Sequence, residues 1–317
     1  MWLAIIGRMN TSIVPGLPVS IAEQVPPVSL IDVLGKRHEP AGAAPRIVSL
    51  VPSLTELLCD LGLIDALVGR TGFCIHPRAA LRTVRKVGGT KDVKLDVVRE
   101  LEPTHLIVNI DENRRETVEA LAEFVPNVIV THPCVPQDNF ALYRLLGGIF
   151  GCEERAGKLV DALREALDEA AQVRVKLPPE AVLYLIWREP WMTVSRATYI
   201  SAMLETVGWQ TLPDASEPRY PVVAWDASWM AAVQRAFLSS EPYRFDARHL
   251  AEVEALSGKP AALIDGEMAS WYGSRAVAGV RYLARLRRSL AQAVPGYPNA
   301  AGVVGGTASL LNADRRR

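Results

Sequence analysis

From residue 46 to residue 150, short β-branched runs alternate with stretches whose apolar residues return at helical spacing. No other feature narrows the fold as much. Residues 47–51, Ile-Val-Ser-Leu-Val, suit a buried strand. Ser53 with Glu56 three residues on reads as a capping box. Leu54, Leu57, Leu58 and Leu61 then recur at i, i+3, i+4 and i+7, one apolar helix face. Gly62 is a natural stop. The same reading predicts strands over 66–69, 105–110 and 128–130 and helices over 95–101, 114–124 and 139–150. Strands separated by helices imply a mostly parallel sheet covered on both faces.

The rhythm then breaks. Leu159, Val160, Leu163, Leu167 and Ala170 keep helical spacing across 153–177, with no Gly or Pro after Gly157. That is about 25 residues, or roughly 37 Å of helix. It is either one more packing helix or a rod joining two lobes. Past it the alternation resumes, with strands over 181–187, 192–194, 236–239 and 261–264 and helices over 199–207, 246–255 and 274–290. The fold class expected is α/β: two Rossmann-like lobes with mostly parallel sheets, joined by one long rigid helix. The expected division is an extension, partly disordered, over 1–44, a first lobe over 45–152, the helix over 153–177, a second lobe over 178–293 and a tail over 294–317.

Composition excludes several classes. The chain carries 35 basic and 35 acidic residues, so it lacks the surplus of positive charge a nucleic-acid binder needs. No apolar run reaches transmembrane length. Met1–Gly7 is apolar but short, has no basic residue before it and is interrupted by Arg8, which is not the pattern of a secretory signal. Cys59, Cys74, Cys134 and Cys152 show no C-x-x-C spacing, and free thiols fit a reducing compartment. On this reading the product is cytoplasmic. There is no phosphate-cradling loop, nucleophile elbow or H-E-x-x-H, so no enzyme is expected and no catalytic cofactor.

Several motifs, in order, carry a resemblance. Pro45-Arg46-Ile47-Val48-Ser49-Leu50-Val51-Pro52-Ser53-Leu54-Thr55-Glu56 resembles the opening strand and helix of the helical-backbone periplasmic binding proteins for cobalamin, haem and ferric siderophores. Val87-Gly88-Gly89-Thr90 precedes the helix carrying Asp96, Leu101-Glu102-Pro103-Thr104-His105-Leu106-Ile107-Val108 is similar to the family's strand entry, and Leu204-Glu205-Thr206-Val207-Gly208 to its second-lobe helix. The resemblance covers about residues 45–290 and points towards cobalamin-binding members. It implies a monomeric substrate-binding protein of an ABC importer, holding cobalamin or an iron complex between its lobes. It also implies docking to the permease through one acid per lobe: Asp96, and Asp226 about one residue off register. For Asp226 the alternative reading, a helix N-cap, is preferred. A family role would place the protein in the periplasm, with a start site other than Met1.

Ligands of open α/β sheets bind beyond the carboxyl ends of the strands. His76 follows the second strand, where cobalamin-binding relatives have a pocket tyrosine. It is a possible metal ligand, or else a surface loop histidine. Cys74 beside it and the His132-Pro133-Cys134 run have the same ambiguity. Glu112 follows the strand over 105–110, and Asn113 with Glu116 reads as a helix start. The second lobe offers Trp187 and Trp191 in one turn, Tyr220 in a long loop, and Glu267, Trp271, Tyr272 and Arg275 after its last strand. Aromatic faces with a few fixed polar groups suit a flat macrocycle. Pocket lining is preferred to core for Trp191 and Trp271. The function expected is a binding protein for a metal chelate, a corrinoid first, with haem or a ferric siderophore behind it. The rivals are a cytoplasmic tetrapyrrole- or metal-sensing protein without a transporter, and a Cys/His enzyme.

Overall fold

The computed structural model describes residues 30–215 and 217–292. The first lobe is built from β1 (Ile47–Ser49), α1 (Pro52–Asp60), β2 (Leu67–Arg70), β3 (Arg85–Lys86), α2 (Leu95–Glu100), β4 (His105–Asn109), α3 (Arg115–Ala122), β5 (Asn127–Thr131) and α4 (Asp138–Phe150). Its sheet runs β3-β2-β1-β4-β5, with every neighbouring pair parallel. Ile47 and Val48 point to opposite faces of β1 and both are fully buried, as the continuous apolar run requires.

The long helix is α5 (Glu153–Lys176), 24 residues. It enters against α4, where Gly147 is so close that a Cβ on it would lie 2.6 Å from that of Ala156. The second lobe follows: β6 (Glu180–Trp187), β7 (Met192–Thr193), α6 (Tyr199–Glu205), β8 (Trp209–Thr211), β9 (Arg235–Ser239), α7 (Leu250–Ser257), β10 (Ala261–Ile264), α8 (Gly266–Ser270) and α9 (Arg275–Gln292). Its sheet runs β10-β9-β6-β7, with β8 also on β6 and only β7 antiparallel. The expected architecture is therefore present: two mostly parallel sheets flanked by helices and joined by one rod.

One hydrophobic core runs through both lobes. It takes Leu54 and Ile107 from the first, Leu163 from α5, and Trp209, Phe237 and Val280 from the second. One face of the rod thus joins the core, with Leu163, Ala166 and Ala170 fully buried along it, and the other face is exposed. α9 packs along α5, and Arg281 reaches Glu165 at 3.3 Å.

Three local expectations are corrected. The capping box of Ser53 and Glu56 does not form: the helix starts two residues early, at Pro52, with Val51 rather than Ser53 at the N-cap and no side-chain cap bond. Asn113 does not start α3 either. It is buried, and its Nδ2 donates to the carbonyls of Leu50 at 3.3 Å and Thr90 at 3.1 Å, which pins three first-lobe loops together. The stretch expected as one helix over 246–255 is a 3-10 turn, Ala247–His249, followed by α7, because Asp246 and His249 form a capping box at the turn.

The segment ahead of β1 is docked from Leu30 onward. Ile31 bridges Arg37, and the turn lies along the free edge of β5. Asp32 holds it there: one carboxylate oxygen accepts from Leu34 N and Lys36 N, the other from His38 Nε2 at 3.0 Å and Val130 N at 3.2 Å. An edge strand left bare is a template for unwanted pairing, and this turn covers it.

Candidate ligand-binding cleft

The loops at the carboxyl ends of the parallel strands in the two lobes face each other, and ion pairs cross between them. At one end of this cleft Arg275, the first residue of α9, donates to Glu56 of α1 through Nη2 at 2.5 Å and Nε at 2.7 Å. Its Nη1 pairs with Glu267. Glu267 also meets His76 Nε2 of the first lobe at 3.4 Å. The Trp271 ring lies under the Arg275 guanidinium at 4.5 Å and edge-on to His76 at 5.8 Å. Its Nε1 donates to Glu241 Oε1 at 2.9 Å, an oxygen that also accepts from Ser270.

The electrostatics follow from this crowding. The bond from His76 holds the Glu267 carboxyl below the usual range; burial opposes the shift, and Arg275 adds to it. Burial pushes the Glu241 carboxyl up, and the bonds from Ser270 and Trp271 only partly offset that.

At the other end Arg219 of the second lobe donates to Asp111 Oδ1 at 2.7 Å, and to the carbonyl of Ala197 at 2.9 Å. His132 Nε2 lies 3.3 Å from the other oxygen of Asp111. Burial pushes the Asp111 carboxyl up, but Arg219 and His132 together bring it below its ordinary value. Around these bridges stand large apolar side chains in the open: Phe73 is 65% exposed, Ile110 47%, Tyr220 45% and Val222 60%.

Of the residues singled out from sequence, His76, Glu267, Trp271 and Arg275 come together in one cluster. Tyr220 sits beside Arg219 at the far end. Glu112 lies behind Asp111, where burial raises its carboxyl. Tyr272 is buried, edge-on to Tyr199 at 5.8 Å. Trp191 is placed elsewhere: it stacks on Phe245 at 5.7 Å and meets Trp225 edge-on, packed against the core on the other face of the second sheet. Trp187 is half exposed at the end of β6 and touches Tyr243. Asp96 is exposed in the first turn of α2, and Asp226 is exposed in the turn before a 3-10 helix whose N-cap, Ala227, makes no side-chain cap bond.

The cysteines are free thiols. Cys74 is buried, with Thr55 Oγ1 donating to its sulfur at 3.0 Å, so it does not accompany His76. Cys134 Sγ lies 3.6 Å from both ring nitrogens of His132, which aligns it with neither lone pair. Burial and two nearby carboxylates push that thiol up, the reverse of an activated nucleophile. Among the described residues no group of three or more His, Cys, Asp or Glu is arranged to hold a metal ion.

Sequence reasoning missed Arg219, and read Glu56 and Ser53 as a local cap. Arg219 sits next to Tyr220 in a proline-rich loop, and nothing in its spacing reveals a partner 108 residues away.

Comparison with known proteins agrees with this geometry. The chain is 25% identical over 198 residues to a vitamin B12-binding protein of Photorhabdus laumondii, which spans 62% of this chain and 72% of that protein. It is 25% identical over 178 residues to an uncharacterized ABC transporter substrate-binding lipoprotein of Bacillus subtilis, over 51% of this chain and about half (53%) of the relative. Among solved structures, the periplasmic vitamin B12-binding protein of Vibrio cholerae superposes with a TM-score of 0.67 at 18% identity, covering 78% of this chain and 97% of that one. The periplasmic haem-binding protein of a Roseiflexus species gives 0.67 at 19% identity, covering 78% and 99%. These two likenesses establish the fold. A profile described as periplasmic binding protein matches residues 47–262, well over half of the sequence. The chain belongs to the periplasmic binding protein family, whose members hold substrates rather than convert them.

Proposed function

We propose that the cleft between the lobes holds a metal chelate, a corrinoid in first place, and delivers it to the permease of an ABC importer outside the cytoplasmic membrane. The observation that carries this reading is the set of large apolar side chains left in the open at the strand ends, Phe73, Ile110, Tyr220 and Val222, next to cations from the second lobe. Exposed apolar area beside a few fixed polar groups is what a flat, mostly apolar ligand with a polar rim needs. Haem and ferric siderophores share that character and are the other candidates. His76 is the first-lobe group placed to meet the metal or the rim, with Trp271 beside it. Asp96 and Asp226, exposed on different lobes, are the acids offered to the permease. Among the described residues no helix is long and apolar enough to cross a membrane.

The test is a titration of the purified protein with dicyanocobinamide, haemin and a ferric catecholate siderophore, followed by tryptophan fluorescence and visible spectra. Saturable quenching by the corrinoid at micromolar concentration or below supports the reading. Saturation by haemin alone would move the ligand to haem, and no response to any of the three would remove the metal-chelate reading.

A further inference from the structure

Arg219 and Asp111 meet across the cleft because each is fixed by its own lobe. Residues 219–223 run beside β7, at the edge of the second sheet. The Arg219 carbonyl accepts from Ser195 N at 2.9 Å, that of Pro221 accepts from Thr193 N at 3.0 Å, and Val222 bridges Met192. The guanidinium is aimed by its Nε, which donates to the Ala197 carbonyl at 2.9 Å. Asp111 stands just past the end of β4. Its N–H donates to Asn109 Oδ1 at 2.8 Å, and its carbonyl accepts from Lys91 Nζ at 2.8 Å. Both partners of the 2.7 Å ion pair are therefore held in place by their own loops.

The pair is open to solvent. The Arg219 side chain is 27% exposed and that of Asp111 37%. Ile110 and Tyr220, their chain neighbours, are among the apolar side chains left in the open at this end. Asp111 keeps its charge here: burial works against it, and Arg219 and His132 outweigh burial. Arg275 repeats the pattern at the other end, where Glu56 reaches it from the first lobe and Glu267 from the second. The cleft thus brings its own anions to both arginines.

Those anions decide what charge a ligand can carry. A ligand carboxylate that takes Arg219 from Asp111 gains one ion pair, loses another, and leaves two like charges side by side. An uncharged polar group accepts from Arg219 without adding an anion, so it meets no such repulsion. A repulsive element of this kind separates ligands that the same attractive contacts would hold alike. We propose that Asp111 is a specificity-determining residue: as the resident counter-ion of Arg219, it makes the cleft select metal chelates with an uncharged rim over chelates with a carboxylate rim. This rests on the metal-chelate reading and narrows it by charge. Corrinoids, whose side chains are amides, meet the condition; haem, with two carboxylates, does not.

The experiment titrates the full chain at low ionic strength, by tryptophan fluorescence, with two probes built on one macrocycle. One is dicyanocobinamide, which is uncharged; the other is the dicyano-corrin acid made by hydrolysing its side-chain amides. The wild type should favour the uncharged probe by about tenfold or more. Asp111→Asn should cut that preference about tenfold, chiefly by tightening the acid, and the acid bound to this variant should weaken as salt is added. The double variant Asp111→Asn, Arg219→Gln should return the ratio to near its wild-type value, because the arginine that welcomes the acid is gone; a merely loosened loop would not respond in this way. A ratio unchanged in Asp111→Asn overturns the proposal, as does a gain that survives in the double variant. Wild-type affinity for the acid equal to or above that for the uncharged probe overturns it too, and leaves the metal-chelate reading standing. Failure of the wild type to bind either probe overturns the corrinoid reading and the proposal together.

Discussion

Arg275 serves two carboxylates that belong to different lobes, and its side chain is only 12% exposed. A guanidinium in that position offers a planar fork that a lysine cannot reproduce. The cluster it anchors also makes the protein sensitive to acid. Glu267 has a folded pKa below its ordinary 4.5, chiefly through the bond from His76. Its contribution to stability is thus fully present above about 4.5 and disappears as pH falls through the lower folded value. Glu241 runs the other way: burial raises it, so it costs nothing at low pH and costs stability as pH rises through its folded value. Urea midpoints of Glu267→Gln should therefore fall below wild type near pH 7 and converge with it near pH 3. Glu241→Gln should match wild type at low pH and exceed it near pH 7. Parallel shifts at every pH would show that the charges are solvated and carry no linkage. Glu56 shows why little of this was legible in sequence. Its spacing to Ser53 fits a cap, and the same carboxylate fits an arginine 219 residues away, a pairing that only the fold creates.

At the scale of elements, α5 couples the lobes by being core to both. Leu163 is fully buried on it, within the cluster that reaches from Leu54 to Phe237. Leu163→Ala should cost about 2–5 kcal/mol. It should not free one lobe from the other. All described tryptophans lie in the second lobe or its loops, so their fluorescence follows that lobe, while far-ultraviolet circular dichroism follows both. The two urea transitions should coincide in wild type and in Leu163→Ala; separation into two steps would show that the rod is only a tether. The elements with clear periodicity, α1, α5 and α9 among them, were legible in sequence. The ones that were not are short: β3 has two residues and β8 three, and α8 five. A run of that length has no period to read, and its existence is decided by the strand or helix next to it. Trp191 failed differently, since a turn tryptophan reads alike whether its ring lines a cleft or stacks on Phe245.

For the whole molecule, a rod of 24 residues without an internal proline, packed on α4 and α9, resists bending. The ion pairs from Asp111 to Arg219 and from His76 to Glu267 already span the cleft. Ligand binding should exchange those contacts rather than swing the lobes, so small-angle scattering profiles with and without saturating dicyanocobinamide should nearly superimpose. A large compaction would mean a hinge elsewhere than the rod. Anomalous diffraction shows directly where the metal sits. Crystals grown with dicyanocobinamide, measured at the cobalt edge, should show one strong peak between the lobes, flanked by His76 and Trp271 at one end and Tyr220 and Arg219 at the other. A sole peak on the outer face of either sheet, or at the turn that covers β5, would contradict the account.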